Sequence, residues 1–212
     1  MAPAPDLVAR IAADLDKGLR RSQFKIPVGI SHRHFHITRE HWEILFGKGT
    51  EPSVHRQLGQ PGFWAAKEKV DMEGPKGRIN GVRLVAPYRP HTQSEVSRSD
   101  ARVLGLDPPV RGSGDLKGAA PIRFIGPKGS LEVREAVIIA QRHLHLHPDD
   151  SRRMGIADGE IVRVRAGIGG QRELVFEEVL ARVSDKFALE FHIDSDEANA
   201  AWLSNGDFVH VV

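Results

Sequence analysis

The stretch RHFH at Arg33–His36 returns as RHLH at Arg142–His145, and these two tetrapeptides decide the fold. An apolar residue between two histidines is period-two alternation. In an extended strand it sends the flanking side chains to one face and the middle one to the other. The two imidazoles then stand about 6.6 Å apart, at ~3.3 Å of rise per residue, close enough to share one metal ion. Eleven histidines scattered over 212 positions would give about 0.6 His-x-His pairs. Four occur: His32/His34, His34/His36, His143/His145 and His145/His147. Aligning the copies on their arginines matches His34 with His143 and His36 with His145, but sets His32 against Gln141 and His147 against Thr38. The repeated pairs are therefore the ligand candidates, and His32 and His147 take flanking roles.

Outward from these strands the chain reads as short apolar runs punctuated by 21 Gly and 13 Pro, the texture of a mainly β protein. Strands are expected over Lys25–Ile30, Lys67–Met72, Gly81–Ala86, Ile122–Ile125, Leu131–Ala140, Ile161–Ala166, Glu173–Val179, Phe187–His192 and Asp207–Val211. Helical signals are few. Thr38 can cap a helix running through Phe46 to Gly47, and Pro148 can start one that ends near Gly155. Residues 1–22 form a separate element, with Leu7, Val8, Ile11, Leu15 and Leu19 at helical spacing after a candidate cap at Asp6. They read either as a terminal helix, docked on its own domain or frayed in solvent, or as an amphipathic docking peptide for a partner.

A second echo is GPKG, at Gly74–Gly77 and Gly126–Gly129, each between two apolar strands in the manner of a hairpin turn with Pro at its second position. No helix start follows either copy, so they read as structural turns and not as phosphate loops. Together the echoes describe a duplication, with one Arg-His-x-His strand in each of two related β units. RHxH precedes GPKG in the first unit and follows it in the second, so the order is permuted and a barrel is expected to combine segments distant in sequence.

Composition narrows the function. Thirty Lys and Arg against 28 Asp and Glu give a net charge of +2, with no excess to drive nucleic-acid binding. No apolar run is long enough to span a membrane and no signal-peptide pattern stands out, so a cytosolic location is expected. The chain has no cysteine, which removes disulfides, thiolate ligands and a cysteine acyl-enzyme. A catalytic metal site usually takes three protein ligands, and the third candidates are His91, Glu95 and His192. With only N and O donors, zinc is the default ion, although cobalt, nickel and manganese also suit them.

Six motifs in order, IPVGISHRHFHIT (Ile26–Thr38), PYRPHTQSEVSRSDA (Pro87–Ala101), SGDL (Ser113–Leu116), the GPKG turns, RHLHLHPDD (Arg142–Asp150) and RVSDKFALEFHIDSDEANA (Arg182–Ala200), resemble the PduL-type phosphate propanoyltransferases. The resemblance implies two related β-barrels from a permuted duplication with a few short helices. One barrel would combine residues 23–32 with 141–212, and the other would take 33–140. It implies a phosphotransacylase that interconverts an acyl-CoA plus phosphate with an acyl phosphate plus CoA by direct, metal-assisted attack, as in propanediol degradation. Two zinc ions are implied, one on His34, His36 and Glu95 and the other on His143, His145 and His192. Arg89 is the implied catalytic phosphate ligand, joined by Gln93, Ser113 and Arg182, with Ser31, Arg83 and Asn199 on CoA. Partners would be a second copy of the chain in a homodimer and, through residues 1–22, the shell proteins of a bacterial microcompartment. The rival readings are a zinc-dependent thioester hydrolase and a non-catalytic metal-binding β protein.

Overall fold

The computed structural model describes residues 5–212. Along the chain the elements are α1 (Pro5–Ser22), β1 (Ile26–Ser31), β2 (His34–His36), α2 (Arg39–Phe46), β3 (Val54–Gln57), β4 (Trp64–Glu73), β5 (Arg78–Ala86), β6 (Gln93–Glu95) and α3 (Arg98–Leu104). There follow β7 (Val110–Arg111), β8 (Ala120–Ile125), β9 (Ser130–Ala140), β10 (His143–Leu146), α4 (Pro148–Met154), β11 (Ile161–Ala166), β12 (Leu174–Val183), β13 (Glu190–Asp194), α5 (Ser195–Ala201) and β14 (Phe208–Val211). The expected strands all form, with shifted ends.

The chain divides into two compact units, one of residues 1–30, 142–193 and 197–212, the other of residues 31–141 and 194–196. In the first unit β1, β13, β10, β12, β11 and β14 close into a barrel. Its core includes Ile26, Leu144, Leu146, Val164, Phe191 and Val211. In the second, β2 pairs with β5, β5 with β4, β4 with β8, β8 with β9, β9 with β6 and β6 with β2, which is also a closed ring. Phe35, Trp42, Met72, Leu84 and Phe124 belong to its core. The short strands β3 and β7 add to the edges of β4 and β9.

The two rings correspond strand for strand. β10 runs parallel to β12 and antiparallel to β13, as β2 runs parallel to β5 and antiparallel to β6. Continuing round, β11 matches β4, β14 matches β8 and β1 matches β9. The barrels are thus permuted relative to each other. β9 directly precedes β10 yet closes the ring that contains β2, while β1 directly precedes β2 yet closes the ring that contains β10.

Local chemistry explains the helices. Thr38 Oγ1 accepts the His41 N–H at 3.1 Å, and Gly47 ends α2. His147 Nδ1 accepts the Asp149 N–H and Pro148 occupies the first turn of α4, which ends at Gly155 with φ 61°. α3 and α5 were not expected. Both are seven residues long with little apolar periodicity, although the Ser97 cap and the left-handed Gly105 of α3 were there to be read.

The GPKG turns correct the sequence reading, because both lie in residues 31–141 and not one in each unit. Each receives the C-terminus of a helix. Lys128 N–H donates to Leu45 O of α2 at 3.0 Å, and Lys76 N–H donates to Leu104 O of α3 at 3.1 Å. A Cβ at Gly126 or Gly74 would collide with those same residues' carbonyls, so glycine is what allows the close approach.

Candidate metal centres

Phe35 is fully buried in one barrel core, and Leu144 and Leu146 are fully buried in the other. Strand alternation therefore places His34 and His36, and likewise His143 and His145, on the opposite face of the wall from the core. The third member of each cluster comes from the antiparallel neighbour. Glu95 of β6 stands opposite His34, and His192 of β13 stands opposite His143. Among the described residues two groups bring three ligand atoms within 4.8 Å of one another, His34/His36/Glu95 and His143/His145/His192. His91 is exposed and belongs to neither.

In the first group the Nδ1 atoms are committed elsewhere. His36 Nδ1 lies 2.8 Å from Val85 O, and His34 Nδ1 lies 2.9 Å from His32 O and 3.3 Å from Ser31 Oγ. The two Nε2 atoms are left 3.2 Å apart, with Glu95 Oε2 3.7 Å from that of His34. Nδ1–H bonded to a carbonyl and Nε2 turned inward is the arrangement that orients metal-binding imidazoles. Burial, then the charges of His34 and Arg89, push the His36 pKa well below its ordinary value. Burial alone would raise Glu95, but the two histidines, the Ser113 hydroxyl and Arg89 outweigh it and hold the carboxyl at about 2. A neutral imidazole and an ionised carboxylate are the states a cation requires.

The second group is three imidazoles, two of them stacked and the third tilted against both. His143 and His192 lie parallel with centroids 5.0 Å apart, and His145 sits 4.6 Å and 4.5 Å from them. Phe187 stacks on His145 at 4.0 Å. Burial, followed by the charges of His143, His192 and Arg182, pushes His145 down to about 2. Both of its ring nitrogens are buried with no hydrogen-bond partner, a cost that a bound ion would remove. The donors of both groups, nitrogen and carboxylate oxygen, fit a zinc-type ion.

Around the first group lies a hydrogen-bonded polar network. Arg89 Nη1 donates to Ser113 Oγ at 2.9 Å, and Gln93 Nε2 donates to Ser113 Oγ and to Glu95 Oε1, both at 2.9 Å. The Gly114 N–H fixes the Gln93 carbonyl at 3.0 Å, and the Arg89 guanidinium lies over the Phe63 ring. Arg182 belongs to the other unit, opposite His145 in register, with its guanidinium over Phe187. Ser31 touches His34, and Arg83 is paired with His34 in register but donates to Ala66 O at 2.5 Å. Asn199 is exposed on α5 in the other unit. Sequence reasoning missed Phe63, Phe187 and Glu190. Glu190 stands opposite His145, and its Oε2 lies 2.7 Å from His192 Nε2. The alternation Glu190, His192 was the available signal, and in the other barrel Gln93 and Glu95 occupy the matching places.

The model of the phosphate propanoyltransferase family matches residues 27–204. The chain belongs to this family. A phosphate propanoyltransferase of Thermotoga maritima is 52% identical over 92% of this chain and 92% of its own length. One of Lachnoclostridium phytofermentans is 43% identical over 98% and 97%, and one of Salmonella typhimurium 45% over 86% of each chain. As a member of the phosphate propanoyltransferases the chain is an acyltransferase of the phosphotransacylase type, and the family agrees with the resemblance of the six motifs. Among the described residues no helix is long and apolar enough to cross a membrane.

Proposed function

We propose that the chain interconverts a short acyl-CoA, of which propanoyl-CoA is the type, and phosphate with the acyl phosphate and CoA, by direct attack of phosphate on the thioester carbonyl. The observation that carries this reading is the chain of contacts from Arg89 through Ser113 and Gln93 to Glu95, which joins an anion-binding guanidinium to a metal-type cluster. His34, His36 and Glu95 would hold one zinc ion, and His143, His145 and His192 the other. When bound, such ions supply Lewis-acid polarisation of a phosphate or carbonyl oxygen.

The residues do the rest. Arg89 binds phosphate through two guanidinium donors, and Ser113 and Gln93 orient it. Arg182 adds a positive charge beside His145. Ser31 and Arg83, both beside His34, contact CoA. A phosphate oxygen forms a bond to the carbonyl carbon, the C–S bond breaks, and the electron pair leaves on the CoA sulfur. The acyl group never rests on the protein, which has no cysteine to carry it. In an assay of thiol release from propanoyl-CoA, release should require phosphate and should fall on adding a strong chelator and return with zinc. Phosphate-independent release would replace this reading with a hydrolase, and no release under any condition would replace it with a binding protein.

Location in a bacterial microcompartment is part of the same reading, supported by α1. Leu15 and Leu19 are 62% and 66% exposed, and Leu7, Val8 and Ile11 join them on one bare apolar stripe, which suits docking onto a shell protein. A homodimer rests on the resemblance alone. Deleting residues 1–22 would also remove Arg21, which is 7% exposed and donates to Met154 O, Gly155 O and Glu160. The cleaner variant is Leu7→Glu with Ile11→Glu and Leu15→Glu. Activity should be unchanged while co-purification with shells is lost, and shell co-purification at the unmodified level would overturn the docking role.

A further inference from the structure

The arginine that opens each RHxH motif has no part in the chemistry above, yet both copies make the same contact. Arg33 Nη1 lies 2.9 Å from Asp100 Oδ1, and Arg142 Nε lies 2.8 Å from Glu197 Oε1. Asp100 sits in the first turn of α3, which follows β6, and Glu197 sits in the first turn of α5, which follows β13. Each acid is five positions after the third member of its cluster, Glu95 in one unit and His192 in the other. The clusters differ in that member and the helices differ in sequence, but the ion pair is kept.

The geometry gives the pair a task. β2 has three residues and β10 four, so the histidine strands are held by short ladders. The arginine adjoins the first histidine and grips the helix that continues the partner strand. It thereby ties the two-histidine side of each cluster to the one-residue side. The acids are the shielded partners, with side chains 11% and 20% exposed against 48% and 34% for the arginines. Asp100 Oδ2 is buried without a partner, so the bond to Arg33 is the one that serves this carboxylate. Arg142 is further fixed by donating to Glu177 O at 3.2 Å and lying over Phe176. A half-exposed ion pair contributes little to folding. Its recurrence at the same place in both barrels therefore points to alignment of the ligand atoms.

We propose that Arg33 and Arg142 are positioning residues, each setting the geometry of one three-ligand cluster through its carboxylate. The inference rests on the metal reading of the clusters, and the test separates the two. Zinc binding would be titrated against a competing chelator for the full chain and for Arg33→Gln, Arg142→Gln, Asp100→Asn and Glu197→Gln, with thermal melting followed in parallel. The unmodified chain should bind two equivalents tightly. Each variant should keep one site unchanged and weaken the other by about 10–100-fold, the usual cost of losing an outer-sphere partner. Adding His34→Ala to Arg142→Gln should leave no tight site, whereas adding it to Arg33→Gln should still leave one, which assigns each arginine to its cluster. The exchanged pair Arg33→Asp with Asp100→Arg should recover affinity. Full affinity at both sites in the single variants, or losses that track the melting temperature, would overturn the positioning role. No zinc bound by the unmodified chain would overturn the metal reading and this inference with it.

Discussion

His145→Ala should leave the protein folded and lower phosphate-dependent thiol release by about 1000-fold, equivalent to roughly 4 kcal/mol of barrier. The asymmetry follows from the surroundings of the ring. His145 is buried, stacked on Phe187 and tilted against the other two imidazoles, and its nitrogens make no hydrogen bond. Without an ion the ring costs the fold an unsatisfied polar group, so its removal should change the apo-protein's melting temperature little. With an ion it is one of three ligands, and two imidazoles on neighbouring strands do not make a closed coordination set. Zinc content should fall from two equivalents to one, because the His34 cluster lies in a separate barrel with its own ligands. Activity within tenfold of the unmodified chain would show that the second cluster takes no part in the reaction.

Arg89→Ala should raise the half-saturating phosphate concentration by about 100- to 1000-fold, corresponding to roughly 3–4 kcal/mol for a lost charge-assisted contact. The KM for the acyl-CoA and the zinc content should stay near their starting values. Arg89 donates to Ser113, the three cluster ligands lie on β2 and β6 outside the Arg89 segment, and the Gly114 N–H still holds Gln93 when Arg89 is gone. Arg89→Lys should recover only part of the loss, because a lysine supplies charge without the planar fork. Initial rates at varied phosphate, alongside metal analysis, read both quantities. An unchanged phosphate requirement, or loss of zinc, would reassign Arg89 to a structural role.

The local half of this site was legible because period-two spacing is a local property. RHFH and RHLH read directly as strands with paired imidazoles, and Thr38, Gly47, Pro148 and Gly155 marked the helices that follow them. Choosing the third member among His91, Glu95 and His192 was not legible from spacing. That choice is made by the register of β6 against β2 and of β13 against β10, a long-range pairing that leaves no mark on the local pattern. The GPKG echo misled for a related reason. Its glycines answer to the Leu45 and Leu104 carbonyls that pack against them, so the repeat reports two helix ends meeting one barrel and not one turn per unit. β3 and β7 escaped notice because strands this short, riding on the edge of a longer neighbour, need no apolar alternation of their own.

The placement of β1 also sets an order of events during synthesis. β2, β4, β5, β6, β8 and β9 are contiguous in the chain and can close their ring once Ala140 is made. β1 leaves the ribosome before all of them, yet its neighbours are β13 and β14, the last strands to emerge. It must wait with an unpaired edge while an entire barrel folds behind it, which is the situation in which nascent chains stick to one another or to chaperones. A chain released before β13 would thus carry a finished His34 cluster and an orphan first strand, a product that proteolysis could recognise although one of its two metal-type clusters is already built.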